Sequence, residues 1–413
     1  MLRRLPFIFL SLSCFACAKQ DEVPQQYSSS GFRMDGSRVV ADIGVPQQVT
    51  VLTVGDTNHP NTFPPSSVVP LGKNNKYKFA FAAGSSLCIG NETSSEIIAA
   101  LPNEKNVIQI LTDATAIYGI HADGKIEAFD HQGTSLWKHE ATGFMGAAGV
   151  LSDNDIIVTA DSGIYAIDTH TGKDRWFYPT AIRGVSTVFD AKAKLIIAAL
   201  SFNSSDASDS IICFSLSGVV KTRCAFSGTR IISNLCLCGN NKDKIAFGYI
   251  GKPKETDAVR SLKVAVYTGV AEGHPKFVSD HEVSYLATNI ASNGQLVLAS
   301  GFEQAGGSLE SGIDAFYADD TTRAWQRRFT EPLVAPVAIS NKFAYFTLSF
   351  VTEAEVPAKS IFYTLDLSTG KTLGELPITG VRNGSASGMP MPLGESEFVL
   401  TDASRSVLYF LKP

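Results

Sequence analysis

One recurring pattern constrains this chain more than any other feature. Gly163-Ile164-Tyr165-Ala166-Ile167-Asp168 leads through Gly172 to Trp176. Gly124-Lys125-Ile126-Glu127-Ala128-Phe129-Asp130 leads through Gly133 to Trp137, and Gly312-Ile313-Asp314-Ala315-Phe316 leads to Trp325. In each copy an alternating apolar run enters a polar turn, and a second run then presents Trp. That is the pattern of a β-hairpin. Side chains alternate across a strand, so each Ile shares a face with the residue two places on, and the small Ala sits where the surface tapers and bulk would clash.

Weaker copies fill the gaps. Phe362-Tyr363-Thr364-Leu365-Asp366 leads through Thr369-Gly370-Lys371 to Gly374, which stands in the Trp place. Val264-Ala265-Val266-Tyr267 leads through Gly273 to Phe277, and Ile212-Cys213-Phe214 through Gly218 towards Cys224. Leu87-Cys88-Ile89 runs on to Glu96-Ile97-Ile98, while Val407-Leu408-Tyr409-Phe410 stops at Pro413 with no second hairpin strand. Two further strand-like runs, 146–151 and 155–159, precede the Tyr165 hairpin. A unit of four short strands over roughly 40–50 residues is the size of a propeller blade.

The expected fold is therefore all-β: a β-propeller of four-stranded antiparallel blades over 37–413, with eight blades expected and seven as the alternative, because 44–100 is the least regular stretch. The last blade lacks an outer strand. Residues 38–43 are expected to supply it, so that strands from both ends of the chain close the ring and remove open edges.

Composition agrees. The chain has 413 residues, 44% hydrophobic and 18% charged, which is enough apolar content for a sizeable core and excludes a disordered chain. The 25 Phe and 12 Tyr suit a β-rich core. Lys and Arg number 35 against 40 Asp and Glu, so no strongly basic face is implied and nucleic acid is not an expected partner.

The first residues read as an address. Arg3 and Arg4 precede an apolar run over 5–16, too short to span a bilayer as a helix and typical of a secretory signal. Cys17 follows Ala16 and precedes the polar run Ala18-Lys19-Gln20-Asp21-Glu22. This resembles a bacterial lipoprotein signal, which implies a signal peptide over 1–16, a lipid on Cys17 (Cys14 is the alternative) and a flexible tether over 17–36. An ordinary secretory signal containing two cysteines is the other reading. Under the resemblance, Ala18 rather than Asp after the cysteine implies the outer membrane. Acyl chains contribute about 0.8 kcal/mol per buried CH₂, so several of them anchor firmly.

The run Ile-Tyr-Ala-Ile-Asp-x-x-x-Gly-Lys-x-x-Trp over 164–176 resembles the repeat of quinoprotein-type (PQQ-like) β-propellers. The resemblance covers most of 37–413, closely in two or three blades and loosely elsewhere. A lipoprotein of that class serves in the outer-membrane β-barrel assembly machinery. The resemblance thus implies a non-enzymatic scaffold on the periplasmic face of the outer membrane, with protein partners, the assembly machinery among them.

A search for chemistry finds little. None of the seven histidines forms an H-E-x-x-H or H-x-x-E-H pair, and His121, His131 and His170 fall in or beside turns, where solvated side chains are expected. Gly384-Ser385-Ala386-Ser387-Gly388 has Ala at the centre where a nucleophile elbow needs Ser. Ser368-Thr369-Gly370-Lys371-Thr372 is half a phosphate loop, but Leu365 stands where its first glycine belongs, so it reads as a hairpin turn. Asp319-Asp320 reads as a turn too. No catalytic, cofactor-binding or metal residue is assigned.

The quinoprotein dehydrogenases of the family carry a vicinal Cys–Cys and a calcium site. Cys236-Leu237-Cys238 is not vicinal, so no cofactor is expected. Five cysteines remain beyond the signal: Cys88, Cys213, Cys224, Cys236 and Cys238. Cys213 and Cys224 flank a turn near Gly218 and form the candidate disulfide, since the periplasm permits one. The alternative is that all five are small buried hydrophobes.

Two further function classes stay open: a periplasmic ligand-binding or dehydrogenase-like propeller, and a surface-displayed lipoprotein. A titratable cluster in the central channel would favour an enzyme or sensor, whereas ordinary apolar and Ser/Thr groups there would favour a scaffold. The irregular segments 58–69, 201–210, 251–260 and 302–311 are the candidate contact loops.

Overall fold

Strand-forming runs separate into eight antiparallel sheets. A computed structural model describes residues 42–413 except 54–67, 72–77, 84–85, 102–106, 144, 181–182, 202–208, 227–228, 252–261, 306–307, 321, 332–335, 351–358, 379–389, 394–396 and 402–406. The sheets are the blades of a propeller, and the number is eight rather than seven. In chain order they span 69–100, 107–140, 145–179, 183–226, 229–282, 286–329, 338–378 and 391–412, and we number them 1 to 8.

Within a blade the four strands hydrogen-bond in sequence order from the innermost outwards. Blade 3 shows the rule with Met145–Ser152, Asp155–Ala160, Gly163–Asp168 and Asp174–Pro179. Its middle strands are apolar almost throughout and buried, because neighbouring blades cover both of their faces. Its outer strand alternates between half-buried and exposed. In blade 5 the innermost layer is split into Thr229–Ile231 and Cys236–Cys238, both paired with Lys244–Gly251.

The core lies between blades rather than at the centre. Phe214, Trp176 and Ile157 pack together between blades 3 and 4, and Tyr345, Phe362, Phe398 and Tyr409 between blades 7 and 8. Phe79 meets Phe410 with ring centroids 5.6 Å apart, which joins blade 1 to blade 8 and completes the circle.

The repeated Trp is the lock between neighbours. The Nε1–H of Trp137 donates to the Thr169 carbonyl at 2.8 Å, that of Trp176 to Leu216 at 2.9 Å and that of Trp325 to Leu367 at 2.7 Å. In each case the acceptor lies in the hairpin turn of the next blade. The indoles lie on Gly172, Gly218 and Gly370, where an added Cβ would come within 2.5–2.6 Å of the ring. Those glycines also have φ of 68°, 78° and 69°, so the turn needs glycine for its backbone as well as for its contact.

A register shift after Ala128, Ala166 and Ala315 sets each Trp opposite its Ala. The same shift marks the equivalent place in the weaker copies. Gly374 is opposite Thr364, as expected from the sequence. In blade 4 the place belongs to Thr222, opposite Cys213, and not to Cys224. In blade 5 it belongs to Ser279, opposite Val266, and not to Phe277, which points outwards and is 55% exposed. The bulge adds a residue before the docking position, which spacing along the sequence does not reveal.

Ring closure differs from expectation in its segment. The outer strand of blade 8 is Gln48–Thr53, paired from Gln48↔Lys412 to Thr53↔Val407. Residues 42 and 43 of the expected 38–43 are not in a strand, and 38–41 lie outside the described residues. The physical reason is that the chain ahead of Gln48 is held on blade 7. Asp42 Oδ1 accepts from the Lys342 N–H at 3.1 Å, and the Gly44 N–H donates to the Tyr345 hydroxyl at 3.3 Å. Val45 lies over Gly374, so it fills the space that an indole occupies elsewhere.

The expected contact loop 302–311 is also corrected. It is mostly paired strand, with Phe302↔Ser311 running to Ala305↔Ser308 between Leu296–Ala305 and Ser308–Tyr317. Gly306-Gly307 between the two strands is the composition of a two-residue hairpin turn.

Candidate functional site

The strand order gives the ring two ends. The turns joining first to second and third to fourth strands lie at one end, and these include the Trp-docked turns. The joints between second and third strands, and between one blade and the next, lie at the other. Residues 54–67, 202–208, 252–261 and 306–307 are outside the described residues, but the strand ends flanking them all belong to this second end.

The innermost strands decide what the channel can do. Among the described residues their only acidic or basic side chains are Arg183, Asp190 and Arg230, with apolar, small and Ser, Thr, Asn or Gln residues elsewhere. Asp190 caps a turn, its Oδ1 accepting from the N–H groups of Lys192 and Ala193, both at 2.9 Å. The buried amides tie blade to blade. Gln109 of blade 2 donates to the Gly149 carbonyl at 3.0 Å and accepts from the Gly149 N–H at 2.6 Å. Asn234 of blade 5 makes the same two bonds with Ile290 of blade 6, both at 2.9 Å. A primary amide has the donor and acceptor of a peptide group, so it bridges inner strands that are not themselves paired. Ser186 accepts from the Leu235 N–H at 3.0 Å and Thr112 donates to the Pro70 carbonyl at 3.0 Å, linking two more blade pairs. Sequence reasoning missed this belt, because a single amide in a strand carries no signal.

Two buried acids stand just ahead of the hairpin Ala in their blades. Glu127 has Lys138 Nζ at 2.7 Å and His121 Nε2 at 3.8 Å. His121 ends the strand Ile117–His121 and is 1% exposed, which corrects its reading as a solvated turn residue. Burial holds its imidazole below the usual histidine value. Asp314 is fully buried, with Arg323 Nε at 3.1 Å and Arg328 Nη1 at 2.8 Å. Arg328 lies over the Tyr285 ring and Arg323 over Phe316, on which His281 stacks with centroids 3.9 Å apart. Each acid is matched by cationic side chains on its own blade, an arrangement that joins strands.

A third ionic group sits at the junction of blades 1 and 8. Buried Glu397 meets Lys78 at 3.1 Å and Lys412 at 3.2 Å, and Lys78 also meets Glu92. His131 is half-buried, whereas His170 is an exposed turn residue. Ser368-Thr369-Gly370 is the Trp325-docked turn, with Asp366 Oδ1 accepting from the Thr369 N–H at 2.9 Å. Asp319 pairs with Lys244, and Asp320 accepts from the Thr322 N–H at 2.6 Å. His59, Cys14, Cys17 and 384–388 lie outside the described residues.

Cys213 and Cys224 lie on adjacent strands but not opposite each other. Cys213 pairs with Thr222 and Cys224 with Ile211, so the two share a face one pair apart. Both are free thiols in the structure. The turn is centred slightly ahead of Gly218, which moves Cys224 out of line. Cys236 and Cys238 are likewise buried and outside any disulfide. Among the described residues no group of three or more His, Cys, Asp or Glu is placed to hold a metal ion. The donor set therefore does not fit a quinone–metal centre.

Comparison with known proteins agrees with the fold. A family model described as outer membrane protein assembly factor BamB matches residues 92–218. The crystal structure of BamB from Moraxella catarrhalis superposes with a TM-score of 0.59 at 15% identity, covering 90% of this chain and 98% of that one. The quinohemoprotein alcohol dehydrogenase from Comamonas testosteroni superposes at 0.57 with 12% identity, covering 92% and 79%. A europium-containing methanol dehydrogenase superposes at 0.62 with 11% identity, covering 94% and 91%. No curated protein matches the sequence significantly. At these identities the structural likeness speaks for architecture. The chain is an eight-bladed β-propeller that resembles PQQ-like propellers and, among them, the outer membrane protein assembly factor BamB.

Proposed function

We propose that this chain is a non-catalytic scaffold whose partners are proteins, anchored by a lipid on Cys17, with Cys14 as the alternative, to the periplasmic face of the outer membrane. On this reading it assists the assembly of β-barrel proteins there. The observation that carries it is the inner belt: Gln109, Thr112, Ser186 and Asn234 of the innermost layer direct hydrogen bonds to the neighbouring blade. The family-model match to BamB over residues 92–218 points to the same class of protein. A ring of blades offers broad surfaces that suit contact with partners.

The test is a pull-down from detergent-solubilised cells after mild cross-linking, with Cys17→Ala as the control. Co-purification of the barrel-assembly core protein in near-stoichiometric yield, lost or reduced in the control, is expected. Abundant membrane-bound protein without that partner overturns the assembly role. Incorporation of labelled fatty acid into the wild type but not into Cys17→Ala tests the anchor separately.

A further inference from the structure

Every blade ends in an outer strand with one hydrogen-bonding edge left open among the described residues. Such edges accept other strands unless Lys, Arg or Pro blunts them. The outer strands of blades 2 to 7 each carry a guard, such as Lys138, Arg175, Lys221, Lys276, Arg323 and Pro377. The outer strand of blade 8, Gln48–Thr53, has no charge and no Pro. That of blade 1, Ser95–Ala100, has Glu96 and neither cation nor Pro. The two unguarded edges are neighbours, flanking the point where the ring closes. Val51 and Ile97 on them are 39% and 59% exposed.

The edge of blade 8 is presented in register. Gln48 and Lys412 form a hydrogen-bonded pair, because the alternative pairing would need an N–H from Pro413, so even-numbered residues turn their peptide groups towards Val407–Lys412. By alternation Val49 and Val51 turn theirs outwards. The Lys78–Glu397–Lys412 ion pairs fix blade 1 against blade 8, which holds the seam still.

We propose that the open edge of Gln48–Thr53 is a strand-addition site for an extended, uncharged polypeptide segment with alternating apolar side chains. Charge selects this occupant. At the cationic edges such a strand would cover a lysine or arginine head group and strip its water without supplying a counter-charge, while at the seam it covers none. Backbone bonds supply affinity, and Val49 and Val51 supply a neutral surface for alternate side chains. This rests on the scaffold reading only in taking a polypeptide as the partner.

The test uses the full chain and a labelled, uncharged Val/Thr-alternating peptide, with a copy N-methylated at alternate amides. Fluorescence anisotropy is read for wild type, Val49→Pro, Val51→Lys and, as a control on blade 2, Leu136→Lys. Val49→Pro removes only an outward N–H, and Val51→Lys keeps the test decisive if the proline variant does not fold. Loss of affinity of about tenfold or more in the seam variants and for the methylated peptide, with none in Leu136→Lys, is expected. Equal binding by the methylated peptide, equal loss in Leu136→Lys, or no loss at the seam overturns the proposal. So does self-association of the wild type that Val51→Lys abolishes, because the occupant is then a second copy. Peptide binding can succeed while the pull-down fails, or the reverse, so the two readings fail separately.

Discussion

The Thr222 hydroxyl donates to the Val270 carbonyl at 3.0 Å, the bond that an indole makes in the three Trp-bearing blades. Gly273 lies against Thr222 much as Gly172, Gly218 and Gly370 lie against their indoles. The blade lock is therefore a hydrogen bond plus a filled space, and Thr222 keeps the first while supplying less of the second. Thr222→Val is expected to lower stability by about 1 kcal/mol, the usual net worth of one hydrogen bond. Trp325→Ala loses the bond and a buried aromatic, and is expected to cost about 3–5 kcal/mol. Urea unfolding of the two variants checks the ranking.

Two glycines separate backbone strain from contact. Gly44 has φ of 90° with nothing within 4 Å of an added Cβ, whereas Gly370 has φ of 69° and an added Cβ would stand 2.6 Å from Trp325. Gly44→Ala should cost about 1 kcal/mol from its backbone alone. Gly370→Ala should cost more and move the indole. A red shift of tryptophan emission in Gly370→Ala, absent in Gly44→Ala, is the expected signature.

Acid should weaken the fold in two stages. Burial lowers His121 and His281 below 6.5, and for His281 the Arg323 charge adds to the effect. The unfolded chain then takes up those protons first. Their contribution is complete above the ordinary histidine value and is lost as pH falls below it. Hydrogen bonds from Ser368 and Thr369 hold Asp366 below 3.8, so its contribution is present above that value and lost as pH falls through the depressed one. His281→Phe keeps a ring on Phe316 and should flatten the first stage only. Urea midpoints from pH 8 down to about pH 3 would show both limbs.

The thiols should be inert while the ring is folded. Burial pushes Cys88 up to about 12 and Cys213 up to about 11, so little thiolate forms at neutral pH. Ellman's reagent is expected to find no reactive thiol among Cys88, Cys213, Cys224, Cys236 and Cys238 in native protein, and all five in guanidinium. Non-reducing peptide mapping should recover Cys213 and Cys224 in separate peptides.

Legibility in the sequence followed the strength of side-chain alternation. The hairpins ending in Trp137, Trp176 and Trp325 were readable because large aromatics recur beyond glycine turns, and Gly374 was placed by its neighbours. Thr222 and Ser279 were not, because neither resembles the indole it replaces and the bulge shifts the count by one. The segments 38–43 and 48–53 each contain two valines. What chooses between them is the hold of blade 7 on Asp42, Gly44 and Val45, which no local pattern shows. His121 next to a turn looked solvated, and only its burial beside Glu127 revealed otherwise. Channel chemistry was illegible for the same reason: Gln109 and Asn234 act on residues of another blade.

The strap that seats Gly44 against Tyr345 joins positions 301 residues apart. A strand made at the start of synthesis must wait for one made at the end before blade 8 exists. Blades 1 to 7 can form as they emerge, but circular closure is a terminal event with a long loop to overcome. Until then Gln48–Thr53 has both edges bare. A chain that stalls before Val407–Lys412 would leave an uncovered strand at each side of the gap, and so would be marked for aggregation or degradation rather than persist as a shorter ring.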